Sequence, residues 1–461
     1  MTETSIFWKV IESVSDQGRR LIRLGDGGNV KNASIDRLGR ALVSEKGEAS
    51  GVALAALLIE RYGALETSDK QAFFRLLLDE FGPDWEASRQ ALAALETNPD
   101  DATALSRLHY AAEPKRQELL RRINLAPGGI TALVAMRSDL LGIMTSDPDL
   151  DVVDADFEHL FRSWFNRGFL QLARIDWQTP AAILEKIIKY EAVHAIEGWD
   201  DLRRRVDAPD RRLYAFFHPA LSDGPLIFVE VALTRDTPTS IKEILAEDRE
   251  PIPVENVSTA VFYSISNCQR GLRGVSFGNF LIKQVVDELR NDLPQLRTFA
   301  TLSPIPGLSR WLREEAALQS NALTDRDRQI IDGLTGDESL IDRAPDTEAR
   351  KAMISLAGQY LVREKAEDGR PVDPVARFHL GNGARLERIN WLADTSAKGL
   401  AESHGLMVNY LYVADEIEAN HEAFAKHGAV AVSSSVRRLL RSQRSAERSK
   451  TSPVPAEAAG P

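Results

Sequence analysis

Apolar residues recur at three- and four-residue spacing through most of residues 1–165, which is the pattern of helices with one buried face. Glycine and proline interrupt the pattern at Gly82-Pro83 and at Pro127-Gly128-Gly129, where helices are expected to end. No segment alternates strictly between apolar and polar residues as a half-buried strand does. We therefore predict an all-helical bundle with helices at Val52–Tyr62, Asp69–Phe81, Glu86–Glu96, Glu113–Leu125, Gly129–Met144 and Asp156–Phe165.

The pattern changes after Arg167, where short runs rich in β-branched and aromatic residues alternate with helical spacing. This alternation is typical of an α/β or α+β domain. The predicted strands are Leu170–Ile175, Leu213–Phe217, Pro225–Leu233, Thr259–Ser266 and Thr298–Ser303. The predicted helices are Pro180–Ala192, Phe277–Arg290 and further helix between Asp325 and Lys365. We predict a helical domain at 1–165, a second domain at 166–442, and a disordered tail at 443–461 that is rich in Ser, Pro, Ala and charge.

Composition narrows the function classes. The chain has 461 residues, of which 43% are hydrophobic, enough for a sizeable core. Its net charge of -11 and dispersed basic residues argue against nucleic-acid binding. A lone cysteine, Cys268, excludes an intrachain disulfide and a thiolate metal cluster. No stretch approaches a membrane span, no signal peptide opens the chain and Ala-Gly-Pro ends it, so we expect a cytoplasmic protein.

A strand, a glycine-rich polar loop, a helix and a second strand follow one another in residues 259–303. The loop, with the start of the helix, contains Arg270, Gly271, Arg273, Gly274 and Gly278. Glycine lets backbone N–H groups approach a ligand closely, and a helix N-terminus carries unpaired donors and positive partial charge. This window therefore predicts a site for a phosphate or pyrophosphate.

The same window resembles the segment of GCN5-related N-acetyltransferases that binds the pyrophosphate of CoA. That family has an Arg/Gln-x-x-Gly-x-Gly/Ala loop after a strand, and the corresponding run here is Arg273-Gly274-Val275-Ser276-Phe277-Gly278. Ser276 stands where the family usually has glycine. The resemblance implies a CoA-type ligand for this loop.

Two further segments resemble the malonyl-CoA decarboxylase family more specifically. One is Phe299-Ala300-Thr301-Leu302-Ser303-Pro304-Ile305-Pro306-Gly307, and the other is Phe378-His379-Leu380-Gly381-Asn382-Gly383-Ala384. Phe217-His218-Pro219, the run Arg388-Ile389-Asn390-Trp391-Leu392-Ala393-Asp394 and the segment Met407 to Tyr412 fit the same family. The resemblance covers roughly residues 150–430 in motif order and spacing.

This resemblance implies a helical N-terminal domain, an acetyltransferase-like catalytic domain with a mixed central sheet, and a homotetramer. It implies conversion of malonyl-CoA to acetyl-CoA and CO2 with no cofactor and no metal. The family's catalytic serine falls on Ser303, its catalytic histidine on His379, and its functional tyrosine, which we assign to substrate binding, on Tyr412. The residues that it assigns to the CoA phosphates are Arg273, Gly274, Val275, Ser276, Phe277, Gly278 and Asn279. Ser276 replaces an acidic residue of animal members, which leaves a backbone contact intact and puts any side-chain role in doubt.

Ser303 and His379 suit this chemistry on their own terms. Loss of CO2 from a malonyl thioester leaves an enolate whose electron sink is the adjacent carbonyl, so neither biotin nor metal is needed in principle. Ser303 ends a predicted strand, and Pro304 and Pro306 stiffen the chain that follows it. His379 precedes a polar turn, and a positioned imidazole can deliver the proton near neutral pH. Asp394 or a backbone carbonyl is the expected partner that orients the ring.

Two other functions fit parts of the sequence. A CoA-dependent acyltransferase would use the same glycine-rich loop and would need a pocket for an acceptor amine. A non-catalytic acyl-CoA sensor or helical scaffold would account for the long helical N-terminal part. A metal enzyme is not indicated, because the sequence has no His-x-x-x-His or Cys-x-x-Cys spacing.

Overall fold

The computed structural model describes residues 33–44, 48–221, 224–275, 281–318, 323, 325–334 and 347–440. Helices fill the described chain up to Trp164, and strands and helices alternate after it. The strands join in a sheet with both parallel and antiparallel neighbours. The predicted α+β class, a helical N-terminal region followed by a mixed sheet, is therefore confirmed.

The N-terminal helices match the predicted ones to within a few residues. They are α1 (Ile35–Val43), α2 (Glu48–Gly63), α3 (Thr67–Asp79), α4 (Trp85–Thr97), α5 (Ala102–Ala112), α6 (Lys115–Asn124), α7 (Gly129–Ile143) and α8 (Asp151–Trp164). The apolar pattern missed α1 and α5. In α5 the large residues Leu105 and Tyr110 are exposed, and its buried positions include the small Ala104 and Ala111. Its start is marked instead by the N-cap Asp101, whose carboxylate accepts hydrogen bonds from Thr103 and Ala104 N–H.

Aromatic clusters and buried ion pairs hold the helices together. Tyr62 of α2 packs edge-on against Phe73 and Phe74 of α3. The buried Arg116 of α6 pairs with Asp156 of α8, so the charge is compensated where water is excluded. Helix packing therefore rests on apolar burial with a few internal ion pairs.

The described chain divides into two compact units. The first comprises the helical region to Gln171 together with Phe216–Leu226 and Asn267–Gly278. The second comprises Leu172–Ala215, Ile227–Ser266 and the chain from Asn279 onward. The described part of the glycine-rich loop, up to Val275, falls in the first unit.

The second unit contains most of the sheet. Its strands are β1 (Gln171–Ile175), β2 (Arg211–Phe217), β3 (Ile227–Thr234), β4 (Thr259–Asn267), β5 (Thr298–Thr301), β6 (Ser303–Pro304), β7 (Arg385–Asn390) and β8 (Met407–Leu411). The order is β1-β2-β3-β4-β5-β8-β6, and β7 pairs with β8. Every predicted strand is present, whereas β7 and β8 were not predicted.

A short interruption separates β5 from β6 and places Ser303. Ala300 lies opposite Leu411, and Ser303 lies opposite Val408, so both strands keep one antiparallel register along β8. At the interruption the Asn409 side chain donates to Thr301 O over 2.7 Å. Side-chain hydrogen bonds thus replace part of the backbone ladder beside Ser303.

The helices of the second unit pack around this sheet. They are α9 (Ala181–Tyr190), α10 (Trp199–Val206), α11 (Lys242–Leu245), α12 (Leu281–Asp292), α13 (Leu308–Ala317), α14 (Asp325–Leu334), α15 (Thr347–Val362), α16 (Pro374–Gly381), α17 (Ala397–Ser403) and α18 (Ile417–His427). The predicted start of α12 at Phe277 lies outside the described residues, as do residues 335–346 of the predicted helical stretch.

Helix α16 begins at a strong local signal. The Asp373 carboxylate accepts a hydrogen bond of 2.8 Å from Ala376 N–H, and Pro374 occupies the first helical position. The helix ends at Gly381, and Gly383 follows with a φ of +82°. This short, capped helix carries His379 in its last turn.

Candidate active site

Ser303 lies at the start of β6 with 5% of its surface exposed. Its neighbours Leu302 and Ile305 are fully buried and anchor the chain on both sides of it. The Ser303 hydroxyl donates a hydrogen bond of 2.9 Å to Thr301 Oγ1, and its oxygen lies 3.1 Å from His379 Nε2. Thr301 Oγ1 also accepts the backbone N–H of Tyr410 over 3.1 Å. The hydroxyl is therefore held in place by the sheet.

His379 contacts a polar group at each of its two ring nitrogens. Nε2 faces Ser303, and Nδ1 lies 2.9 Å from the Tyr412 hydroxyl. The ring stacks on Tyr410, with centroids 4.7 Å apart and planes inclined by 25°. Because both nitrogens and one face are fixed, the imidazole has a single orientation.

The hydrogen bonds assign the direction of the protons. Ser303 has one hydroxyl proton and gives it to Thr301, so the contact with His379 needs Nε2–H as the donor. Nδ1 is then unprotonated and accepts the proton of Tyr412. The donors run from Tyr412 through His379 and Ser303 to Thr301, and the imidazole is neutral.

Burial keeps this series uncharged. It lowers the pKa of His379 to about 3, so the ring carries no charge at neutral pH. Burial also raises the pKa of the Tyr412 and Tyr410 phenols above their ordinary value. The imidazole is therefore a neutral proton donor in the free protein.

His379 lies in the last turn of α16, and the polar turn that follows it begins after Gly381. The expected partner of the ring needs correction. The group at Nδ1 is Tyr412, whereas the Asp394 carboxylate accepts Ser396 N–H. Tyr412, which we assigned to substrate binding, is buried and contacts the imidazole directly.

The predicted phosphate loop is described in part. A 3₁₀ turn, Arg270–Leu272, leads into Gly274, which has a φ of +82°, and Val275 is buried. Ser276, Phe277, Gly278 and Asn279 lie outside the described residues. The structure thus brings Ser303, His379 and Tyr412 together in the second unit, and it assigns Arg273, Gly274 and Val275 to the first.

Sequence reasoning missed Arg137, which supports this loop from α7. Its buried guanidinium donates to Gly271 O over 3.0 Å and to Arg273 O over 2.8 Å, and it pairs with Asp154. A Cβ at Gly271 would lie 1.9 Å from Val134 O, so only glycine allows the loop to approach α7 this closely. The available signal was a charged residue on the apolar face of α7.

The described residues contain no group of three or more His, Cys, Asp or Glu side chains that could hold a metal ion. They contain no helix long and apolar enough to cross a membrane. Cys268 is buried and forms no disulfide with any described residue.

A buried hydroxyl, imidazole and phenol in one hydrogen-bonded series, with a strongly shifted histidine pKa, are the features of an enzyme active site. Comparison with known proteins gives the family. The sequence models of the malonyl-CoA decarboxylase N-terminal and C-terminal domains match residues 81–165 and 168–450. The chain belongs to the malonyl-CoA decarboxylase family.

Relatives and solved structures agree along nearly the whole chain. Mitochondrial malonyl-CoA decarboxylase of Anser anser anser is 36% identical over 89% of this chain and 87% of its own length. The crystal structure of malonyl-CoA decarboxylase from Rhodopseudomonas palustris is 53% identical, with a TM-score of 0.84 over 88% of this chain and 98% of that one. The Agrobacterium vitis structure is 52% identical, with a TM-score of 0.82 over 88% and 100%.

Proposed function

We propose that this chain decarboxylates malonyl-CoA to acetyl-CoA and CO2 through the series formed by Ser303, His379 and Tyr412. Family membership supports the overall reaction. The observation that carries the mechanism is the fixed contact of 3.1 Å between Ser303 Oγ and His379 Nε2, in a buried site. The tetramer, the cytoplasmic location and the domain boundaries at 165 and 442 stay predictions.

The reaction requires the site to stabilise an enolate oxygen and to protonate a carbon atom. The bond between the carboxylate carbon and Cα breaks, and its electron pair forms an enolate with the thioester carbonyl. Preorganised donors stabilise the enolate oxygen, and a positioned acid delivers one proton to carbon. Ser303 supplies the hydrogen bond by turning its hydroxyl from Thr301 to the substrate, and His379 supplies the proton.

The neutral imidazole can deliver this proton without becoming charged. Nε2 gives its proton to carbon while Nδ1 takes the proton of Tyr412, which lies 2.9 Å away. The substrate brings one negative charge, CO2 leaves without it, and the Tyr412 phenolate holds it until solvent returns a proton. The enolate carbon of a thioester is a much stronger base than a phenolate, so the transfer is favourable.

The loop after β4 is proposed to bind the phosphates of CoA through backbone N–H groups. Arg137 supports this role, because it holds the carbonyls of Gly271 and Arg273 on the α7 side. Carbonyl oxygens that are satisfied in this way do not repel an anion. In the described part of the loop Arg273 N–H donates to Arg270 O and Val275 N–H to Leu272 O, so the anion is expected at Gly274 N–H and at the residues after Val275. The proposal covers Arg273 to Asn279.

Substitution of Gly274 by Val is expected to raise KM for malonyl-CoA with little change in kcat. Gly274 has a φ of +82°, which a β-branched residue adopts only with strain. The valine side chain would also obstruct the approach of the backbone to a phosphate. Steady-state kinetics and CoA binding by calorimetry measure the effect.

Gly369→Val is the matched control for this substitution. Gly369 also has a positive φ, +74°, and like Gly274 has open space where a Cβ would lie. The control carries similar backbone strain in a turn outside the loop, so it should keep the parent KM. Unchanged CoA affinity in a folded Gly274→Val protein would refute the placement of the phosphate site.

One assay separates decarboxylation from the two alternatives. Purified protein is mixed with malonyl-CoA in buffer without ATP, added metal or acceptor amine, and acetyl-CoA is followed by chromatography. A decarboxylase forms acetyl-CoA in many turnovers. An acyltransferase releases no CO2 without an acceptor, and a sensor binds malonyl-CoA without consuming it, so either outcome would overturn the proposal.

A further inference from the structure

Asp373 is a fully buried carboxylate at the start of the helix that carries His379. One of its oxygens, Oδ1, caps α16 by accepting Ala376 N–H over 2.8 Å. A helix cap alone needs only one acceptor, and serine or asparagine serves as well at the surface. Burying a carboxylate costs more free energy than burying a serine or an asparagine, so a cap alone does not account for the second oxygen.

The second oxygen, Oδ2, faces the loop that follows Ser303. It has no hydrogen bond of standard geometry with any described residue. A Cβ at Gly307 would lie 3.8 Å from Oδ2 and 2.1 Å from the Tyr360 hydroxyl, so Gly307 leaves the space in which that hydroxyl sits. Asp373 therefore lies where α16, α15 and the loop before α13 meet.

The groups around Asp373 are mostly hydrogen-bond donors. Burial raises its pKa to about 6, and the N–H groups of Ala376, Val375 and Gly307 and the Tyr360 hydroxyl oppose this rise. The Tyr410 phenol, which stacks on His379, also lies within electrostatic range. These donors match an ionised carboxylate, whereas a protonated one would turn a proton toward them.

Asp373 lies between the two elements that carry Ser303 and His379. His379 is on α16, whose start Asp373 caps, and Gly307 closes the Ser-Pro-Ile-Pro-Gly segment that begins with Ser303. Pro304 and Pro306 make that segment stiff, so a shift at Gly307 is transmitted to Ser303. A single carboxylate thus faces both elements whose spacing sets the contact between Ser303 and His379.

We propose that Asp373 is a positioning residue that holds the loop after Ser303 against the start of the His379 helix and so sets the hydrogen bond between the two catalytic side chains. The inference rests on the proposed decarboxylation. It assigns no contact with substrate to Asp373. It predicts an effect on turnover that is separable from binding and from folding.

The test uses Asp373→Asn and Asp373→Ser in the full chain. Both residues keep an acceptor for the α16 cap, but asparagine turns N–H donors toward Gly307 and serine leaves that side empty. Because a displacement of about 1 Å at reacting groups costs roughly 10²-fold, kcat should fall by about that factor, with KM within about threefold of the parent. If asparagine does not fold, serine carries the test.

A pH profile distinguishes positioning from mere stability. In the parent, kcat should rise as pH passes upward through about 6, because Asp373 then becomes the carboxylate that its donors fit. Both variants should lack this rise of kcat near pH 6. The pH-independent kcat of the variants should stay low even where circular dichroism shows a folded protein.

Asp101→Asn is the matched control, since Asp101 caps α5 with the same type of hydrogen bonds. It should keep the parent kcat and the rise of kcat near pH 6. Variants of Asp373 that keep the parent kcat and pH profile would overturn the inference while decarboxylation by the parent stood. A parent that makes no acetyl-CoA would overturn the proposed function itself.

Discussion

A His379→Asn enzyme is expected to lose about 10²–10⁴-fold in turnover of malonyl-CoA while it keeps its affinity for CoA. The imidazole hydrogen-bonds both Ser303 and Tyr412, so its loss removes the proton path between them. The asparagine side chain is polar, but it cannot accept a hydrogen bond from Tyr412 and donate one to Ser303 with the geometry of the imidazole ring. The measurement is kcat together with CoA affinity and the thermal melting temperature.

His404→Asn is the control for replacing a partly buried histidine. His404 has a φ of +51°, in the left-handed region that asparagine tolerates well, so this variant should fold and turn over like the parent. Normal turnover by His379→Asn would remove His379 from the mechanism. Tyr412→Phe in the same assay should lose less, because water can return a proton to the ring; turnover below that of His379→Asn would contradict the assigned proton direction.

A Ser303→Ala enzyme is expected to lose roughly 10²–10³-fold in turnover, by analogy with the loss of one donor to a developing oxyanion. The hydroxyl is held by Thr301 and His379 in the free protein, so little reorganisation is needed when it turns to the substrate. CoA affinity should persist, because the effect belongs to the chemical step. Rapid-quench measurement of acetyl-CoA formation isolates that step from product release.

Ser403→Ala is the matched control for the loss of a buried hydroxyl. Ser403 donates to two backbone carbonyls in the same unit, so its removal tests whether a lost internal hydrogen bond alone slows the enzyme. Near-normal turnover by Ser303→Ala would exclude the proposed role. No step of the mechanism requires a covalent acyl-serine, and mass spectrometry of quenched enzyme should find none.

The sequence predicted most of the fold because its elements have strong local signals. The apolar spacing identified six N-terminal helices, and β-branched runs identified the strands up to Ser303. It missed α5, where the buried face includes small alanines, and it missed β7 and β8, whose pairing is set by distant partners. Local patterns cannot show which strand completes a sheet.

Candidate site residues could be predicted from sequence motifs, but the contacts between their side chains could not. Ser303 and His379 are 76 residues apart, and only the fold places Nε2 against the hydroxyl. The partner of Nδ1, the low pKa of the imidazole and the role of Asp373 depend on burial and on contacts between distant segments. The support of the loop by Arg137 likewise joins residues far apart in sequence.

Ser303 and His379 are proposed to act as one hydrogen-bonded unit, in which the serine holds the enolate oxygen and the histidine delivers the proton. The double variant Ser303→Ala/His379→Asn tests this claim most directly. Its acetyl-CoA formation from malonyl-CoA is measured beside both single variants and the parent at saturating substrate. Residues that act as a unit give non-additive losses, so the double variant should be within about threefold of the slower single variant. A double variant that loses the product of the two single-variant losses, and so lies roughly 10²-fold or more below the slower single variant, would show independent roles and contradict the account.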